Sequence, residues 1–529
     1  MLAVPPGYRC VPPQLNMGAE VVDRPLALGW GTRPALWWDG GMLTRDELRA
    51  RVDACARGLR RLGLERGTPY LLRGPNSPEL VVAFLAGLKL GALPALVNSQ
   101  LGPRELAHIV ANAEAELALV AGGAAEPLRQ LQHERGVPRQ LVLLDGAPAP
   151  GELAFASVQD HDTRPLAAAA TRADEPALLV YSSGTTGLPK GIVHGHRWVV
   201  AVGDLGVLRA AYTPDDRVLA TGEFSFISAL GHGLLWPLRA GASAALLAGR
   251  ATPEAVLATC ERLGVTVLFS VPTFYRKVLA LPDIERQYPR LRLRYGNSTG
   301  EPLGVATYRE WRARFGWDIY EYYGVSEFQV LTCHGPVVPL RPGSLGVPFP
   351  GVELRVLDAG LRPVPPDTAG YLSLRADDPG LFLGYRHDVE RWRRLFRGGW
   401  FQPGDLVRAD AEGYLWYVGR EDDFFKSRGM AVAPAEIEAA LMELAPVLEA
   451  AVVPVPDAAI GNAIEAYVVL RDGYSPTPAL AQELRATLRA RIAPYKVPRA
   501  LYFADTLPHS AQGKVLRRAL ANPARGPGA

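Results

Sequence analysis

Eleven residues constrain this chain more than any other stretch: Tyr181-Ser182-Ser183-Gly184-Thr185-Thr186-Gly187-Leu188-Pro189-Lys190-Gly191. They follow Ala177-Leu178-Leu179-Val180, a short apolar run that reads as a buried strand. The glycines allow sharp turns and bring backbone N–H groups close to a ligand. The Ser and Thr hydroxyls and one lysine add donors, so a loop of this kind suits a polyphosphate. It is not a Walker loop, because Lys190 follows Pro189 and precedes Gly191 rather than standing in Gly-Lys-Ser/Thr. Composition alone would equally allow an ordinary polar turn.

At 529 residues the chain exceeds one compact core, so two or more domains are expected. Its 57 basic and 54 acidic residues give a net charge of +3, which makes no electrostatic case for nucleic acid or a membrane as the main partner. Cys10, Cys55, Cys260 and Cys333 are far apart and form no C-x-x-C, so neither a disulfide framework nor a zinc site is expected, and a reducing cytoplasm fits. Met1 to Tyr8 holds two prolines and no apolar core of a secretory signal. Leu80 to Val97 is the strongest membrane candidate, but Gly87, Lys89, Gly91 and Pro94 make it helix, turn, buried strand.

Residues 20 to 145 alternate helical and strand-like runs. Thr44 with Glu47 three residues on marks a helix start, and Leu48, Val52, Ala56, Leu59 and Leu62 continue at helical spacing. Pro69 to Leu72 and Leu141 to Leu144 read as strands. The expected class is α/β, built from crossover units. Asp145 to Pro176 reads as a surface connection. Pro253 to Leu263 is a helix with Thr252 as N-cap, Val265 to Phe269 a strand, and Arg292 to Tyr295 another. Residues 350 to 420 are strand-rich. From about Asp422 a helix, two strands, a helix and a strand form an α+β unit of about 100 residues. The expected division is 1–420 and 421–529, with a disordered tail from Asn522.

Three later clusters carry polar chemistry. Gly300-Glu301-Pro302 precedes Glu321-Tyr322-Tyr323-Gly324-Val325-Ser326-Glu327, where an aromatic pair can stack on a purine and Glu327 offers Mg²⁺ a hard oxygen. Gly404-Asp405 and Arg420 pair a carboxylate at a glycine turn with an arginine, a set suited to a ribose. Leu507-Pro508 and Gly513-Lys514 precede a basic helix. Each also has an ordinary reading, as core aromatics or as solvated charge. His194 and His196 lack a third ligand at metal spacing, and Arg391 to Arg397 reads as a solvated helix face.

Together, in this order, the four clusters resemble the adenylate-forming acyl-CoA synthetase and ligase superfamily over nearly the whole chain. The resemblance implies a large N-terminal adenylation domain and a small mobile C-terminal one, pivoting at Asp422. It implies ATP contacts at Ser182, Ser183, Gly184, Thr185, Thr186, Gly187 and Lys190, at Gly300, Glu301 and Pro302, and at Glu321, Tyr322, Tyr323, Gly324 and Ser326. Asp405 and Arg420 would hold the ribose, Tyr322 or Tyr323 would flank the adenine, and Glu327 would hold Mg²⁺. Thr186, Glu327 and Lys514 are the implied catalytic residues, with Lys514 bridging substrate carboxylate and α-phosphate.

The implied reaction makes an acyl-adenylate from a carboxylic acid and ATP, then a thioester. Coenzyme A is the expected thiol, with Arg428 and Gly429 beside the pantetheine and Lys496 and Arg499 at its phosphates. Phe224 to Ser228 resembles the motif at the mouth of the acyl pocket. Ile227 stands where amino-acid-activating members carry aspartate, so an α-amino acid is not expected. Phe226, Ile227, Leu230, Val271, Phe274, Tyr322 and Val325 would line an apolar pocket for an aryl or short-to-medium alkyl acid, and the overall look is closest to the benzoate and medium-chain acyl-CoA ligases. Two departures stand out: Phe328-Gln329-Val330, where benzoate ligases tend to carry His, and Asn297, which either meets a polar ring substituent or bonds the backbone. The rival readings are an adenylation enzyme that loads a carrier-protein thiol and a non-catalytic nucleotide binder. The expected assembly is a monomer or homodimer.

Overall fold

The computed structural model describes residues 8, 10–183, 188–428, 430–457, 460–509 and 515–520. Gly184 to Gly187, Gly429, Lys514 and the tail from Asn522 therefore lie outside the described residues.

Parallel strands and their crossover helices build the first two sheets. The first runs in the order Gly384–Tyr385, Pro189–Gly195, Pro176–Ser183, Leu93–Val97, Pro69–Arg73, Leu117–Val120, Gln140–Leu143, Leu153–Ala154. Its last six strands are parallel, and the first two are antiparallel additions at the edge. The second runs Asp318–Glu321, Tyr295–Ser298, Val267–Ser270, Arg217–Ala220, Ser243–Ala245, Pro34–Trp38, Gly41–Thr44, and only its last pair is antiparallel. A third, antiparallel sheet holds Asp405–Ala409 against Leu415–Arg420, with Asp405 directly opposite Arg420. One continuous hydrophobic cluster reaches all three sheets, from Leu36 through Val180 to Leu372 and Val407.

Local rules explain most element boundaries. Helix Arg45–Arg61 begins at a complete capping box: Glu47 N–H donates to Thr44 Oγ1 at 3.2 Å, and Thr44 N–H donates to Glu47 at 2.8 Å. Such a cap contributes about 1 kcal/mol. Leu48, Val52, Ala56 and Leu59 are buried along one face. Helix Pro253–Leu263 has Thr252 capping Ala255 N–H and proline at its first position. Leu80 to Val97 resolves into helix Pro78–Lys89 and strand Leu93–Val97, and Lys89, 1% exposed, is held at 2.7 Å by both Asp23 and Asp53. No helix among the described residues is long and apolar enough to cross a membrane.

One expected strand moves. Tyr295–Ser298, not Arg292–Tyr295, is the ladder strand, so Gly296 and Asn297 lie inside the sheet. Gly296 is needed there, because a Cβ would stand 2.6 Å from Tyr275 Oη and 2.9 Å from the Trp317 ring. Local strand propensity disfavours glycine, and close packing overrides it.

After the third sheet, the Glu421–Asp423 turn leads into a small α+β unit. Strands Val447–Asp457 and Gly461–Leu470 pair antiparallel, and Ala500–Phe503 joins the latter in parallel. Helices Pro434–Met442 and Pro478–Arg491 cover this sheet through Ile437, Leu441, Leu484 and Leu488, which form a core separate from the large one. Arg471 reaches Glu310 of the large unit at 3.0 Å.

Candidate active site

The loops that leave the C-terminal ends of the parallel strands converge. Strand Pro176–Ser183 delivers Ser182 and Ser183, Tyr295–Ser298 leads to Gly300-Glu301-Pro302, and Asp318–Glu321 leads to Tyr322 through Glu327. Ligands in open α/β sheets bind at such ends. Ser182 Oγ is buried and has no partner among the described residues. A buried hydroxyl without a partner is costly, which fits a group that meets a ligand.

Lys190 and Glu327, 137 residues apart, meet at the centre. Lys190 Nζ lies 2.7 Å from Glu327 Oε1 and 3.1 Å from Tyr385 Oη, and Tyr385 Oη donates to the same Oε1 at 2.5 Å. Burial pushes the Glu327 carboxyl up, but the Lys190 charge and the bonds from Lys190 and Tyr385 outweigh it, leaving the group below its usual range. Glu327 is therefore an anion, buried and aimed at the strand ends. A single buried carboxylate fits Mg²⁺, which takes one or two protein oxygens and completes its shell from phosphate and water. Among the described residues no group of three or more His, Cys, Asp or Glu side chains gathers as a metal cage. Tyr385 was not singled out by sequence; it stands on the edge strand Gly384–Tyr385, a two-residue pairing with no periodicity to reveal it.

Tyr322 and Tyr323 diverge. Tyr323 Oη donates to Asp405 Oδ2 at 2.5 Å, and Arg420, 3.5 Å from Asp405, also donates to the Pro403 carbonyl. Tyr322 turns inward, with its ring 4.7 Å from that of His232 and 4.0 Å under the Arg209 guanidinium. Gly324 lets the chain fold back, since a Cβ there would collide with the Gln329 carbonyl. The Ser326 carbonyl pairs with His194 Nε2 at 2.9 Å. Glu301 is engaged by Arg276 and Thr273, each at 3.3 Å, and burial raises its carboxyl above the usual range. Glu321 turns to the chain just after Pro302: it accepts from Leu303 N–H at 3.1 Å, and burial pushes it up to about 7.

The residues expected to line the acyl pocket divide between two hydrophobic clusters. Phe226, Ile227, Leu230, Tyr322 and Val325 belong to the large central cluster, and Asn297 faces it. Phe274 and Val271 do not join them. Both pack in the cluster on the opposite face of the second sheet, with Leu257, Tyr275 and Trp311, because helix Pro272–Leu279 turns Phe274 and Tyr275 onto that face. Asn297 bonds a side chain rather than the backbone: its Oδ1 accepts from Arg209 at 3.1 Å.

In the C-terminal unit, Arg428 sits exposed at the turn of hairpin Phe425–Ser427/Met430–Val432 with φ +54°. Lys496 pairs with Glu436, and Arg499 with Asp457 and Glu465, so the expected coenzyme A cations already have acidic partners. Asp422 lies exposed in the connecting turn. His509 bridges to Val515 and lies 3.5 Å from Glu449, whose charge helps raise the Glu301 carboxyl, so this edge of the small unit faces the Gly300–Pro302 turn. Arg517, three residues past Lys514, forks onto Glu438 at 2.6 and 2.7 Å and reaches Asp423 at 3.2 Å. Sequence gave no reason to prefer it over its basic neighbours.

With this geometry in view, comparison with known proteins is decisive. The AMP-binding enzyme model matches residues 27–386 and the AMP-binding enzyme C-terminal domain model matches 436–514. The chain belongs to the AMP-binding enzyme family. A 3-hydroxybenzoate–CoA/4-hydroxybenzoate–CoA ligase of Thauera aromatica is 34% identical over 95% of this chain and 96% of its own length. A benzoate–CoA ligase from the same organism is 33% identical over 97% of both. The acetyl-coenzyme A synthetase of Bacillus subtilis (strain 168) is 29% identical over 96% of this chain and 90% of its own. Among solved structures, an anthranilate CoA ligase with anthranoyl-AMP superposes at TM-score 0.90, with 30% identity over 97% of this chain and 98% of its own. The family member described here is thus an AMP-forming acid–thiol ligase with a large N-terminal and a small C-terminal domain, of a class that uses ATP, Mg²⁺ and coenzyme A.

Proposed function

We propose that this acid–thiol ligase activates an aromatic, benzoate-type acid and passes the acyl group to coenzyme A. The observation that carries this reading is the buried ring set of His232, Phe269 and Tyr322: the first two stack 4.8 Å apart and 10° from parallel, and Tyr322 lies 4.7 Å from His232, in the same hydrophobic cluster as Phe226, Ile227, Leu230 and Val325. Flat, apolar walls favour an aryl group over an alkyl chain. The charge nearest Tyr322 is the buried guanidinium of Arg209, 4.0 Å from its ring, and an ammonium would meet a like charge there. Two of the relatives are named for benzoate and hydroxybenzoates, which agrees.

In the first step the acid's carboxylate oxygen attacks the α-phosphorus of ATP, and the bond to the β-phosphate oxygen breaks to release pyrophosphate. In the second a thiolate attacks the acyl carbon, and the bond to the AMP oxygen breaks. Glu327 would hold the magnesium, with Lys190 and Tyr385 orienting its carboxylate. Tyr323 would flank the adenine, the Asp405–Arg420 pair would take the ribose, and Tyr322 would line the acid site. Lys514 would neutralise charge that develops between carboxylate and α-phosphate. Residues 421–529 would turn about Asp422 between the steps.

Pyrophosphate release measured over benzoate, acetate, hexanoate and phenylalanine, then repeated with coenzyme A, tests the reading. Benzoate should lead by tenfold or more, with benzoyl-CoA formed. Acetate or phenylalanine in first place would refute the aryl assignment, and adenylate formation without thioester would favour a carrier-protein thiol.

A further inference from the structure

A buried set of hydrogen-bonding groups without partners among the described residues lies in and around the His232, Phe269 and Tyr322 rings. Gln329 is 2% exposed, and neither its Nε2 nor its Oε1 has a partner among the described residues. His232 is fully buried, and among the described residues neither of its ring nitrogens, nor Asn297 Nδ2, nor Tyr322 Oη has a partner. These groups are contiguous. A Cβ on Gly231, next to His232, would stand 2.3 Å from Gln329 Nε2, the His232 and Tyr322 rings are 4.7 Å apart, and Arg209 joins Tyr322 to Asn297.

The chain is strained to put Gln329 there. Its φ is +101°, a region glutamine rarely adopts, and its N–H donates to the Val325 carbonyl at 2.6 Å. Strain held at one residue beside a binding wall is a feature of ligand clamps. Orphaned buried polar atoms are expensive, so a cluster of them beside a substrate wall is explained by a substrate that completes their bonds.

We infer that Gln329 and His232 are specificity-determining residues that select an aryl acid carrying a ring hydroxyl. Gln329 offers two donors and an acceptor, and Asn297 two donors. Burial and the Arg209 charge hold His232 neutral, so its ring presents one donor and one acceptor. A hydroxyl both donates and accepts, so it can pair with this mixed set, whereas a hydrogen, methyl or halogen leaves it unpaired. Arg209 disfavours a cationic substituent: among the described residues its guanidinium donates to the His334 carbonyl and to Asn297 Oδ1, neither of them a carboxylate. A site built to bond a hydroxyl discriminates strongly against the analogue that lacks it.

This inference rests on the aryl reading of the function, and the experiment separates the two. The quantity is the ratio of kcat/KM for 3- and 4-hydroxybenzoate to kcat/KM for benzoate, in wild type, Gln329→Met and His232→Phe. The better hydroxybenzoate should exceed benzoate by at least about tenfold in wild type, and the ratio should fall to near one in both variants. A folding defect lowers all acids together and leaves the ratio unmoved. His232→Phe, on a different element, reads the same ratio if Gln329→Met fails to fold. If benzoate equals or exceeds the hydroxybenzoates, or if the folded variants keep the wild-type ratio because the polar set binds only structural water, the selectivity inference is overturned while the aryl reading stands. If no aryl acid releases pyrophosphate and an alkyl acid does, both fall.

Discussion

Replacing Lys190 with methionine isolates the ion pair at the centre of the site. Lys190 Nζ and Glu327 Oε1 are 2.7 Å apart, with the side chains 23% and 7% exposed. At an effective dielectric near 20 that separation is worth about 6 kcal/mol of attraction, most of which offsets the desolvation of the two ions. Removing one partner leaves Glu327 buried and unpaired. Such losses cost about 3–5 kcal/mol, and partial exposure at the lysine end brings the expectation to about 2–4 kcal/mol. The sign of the pH dependence follows. Wild-type Glu327 lies below its ordinary value and stays ionised, so its pairing stabilises at and above pH 5. In Lys190→Met the Tyr385 bond remains but the opposing charge is gone, so burial, the largest influence, prevails and raises the carboxyl, and stability falls as pH rises through the new folded value. Urea unfolding of the nucleotide-free protein between pH 5 and 8 should show a deficit that is small at pH 5 and full at pH 8. Lys190→Met/Glu327→Gln should recover at least about 2 kcal/mol of it at pH 8. An equal, pH-independent deficit in the single and double variants would refute the pairing argument.

Glu321, raised to about 7 by burial, should make the large domain lose up to about 3 kcal/mol as pH rises from 4.5 to 7, with no further change above; Glu321→Gln should flatten that slope in the same urea series, and an unchanged slope would assign it elsewhere. Lys514→Ala should slow pyrophosphate release by about 100- to 1000-fold yet spare thioester formation from a supplied acyl-adenylate, measured by following each half-reaction separately; equal losses in both would contradict a role confined to adenylation. Asp422→Pro should abolish one half-reaction and leave the other, because proline removes φ freedom in the exposed Glu421–Asp423 turn; wild-type rates in both would place the pivot elsewhere.

Local chemistry wrote much of this protein into its sequence. The Thr44–Glu47 box, the Thr252-Pro253 start and the apolar run before Tyr181 each depend on neighbours a few residues away, and each appears where short-range rules put it. The order of the polar clusters likewise pointed to a nucleotide site, and the first two follow the ends of strands Pro176–Ser183, Tyr295–Ser298 and Asp318–Glu321. Tertiary packing decided the rest. Tyr322 and Tyr323 are adjacent, and only contacts with Arg209 and Asp405 separate an inward ring from an outward one. Phe274 suits an acyl wall by composition, yet the start of its helix at Pro272 sends it to the other face of the sheet. Tyr385 meets Glu327 because a two-residue edge strand pairs with Pro189–Gly195, a contact no local pattern encodes. Gln329 turns inward through a backbone angle that its own residue type disfavours, imposed by Gly324 and the Val325 carbonyl. Short-range preferences are worth about 1 kcal/mol each, and burial of long-range contacts outweighs them wherever the two disagree.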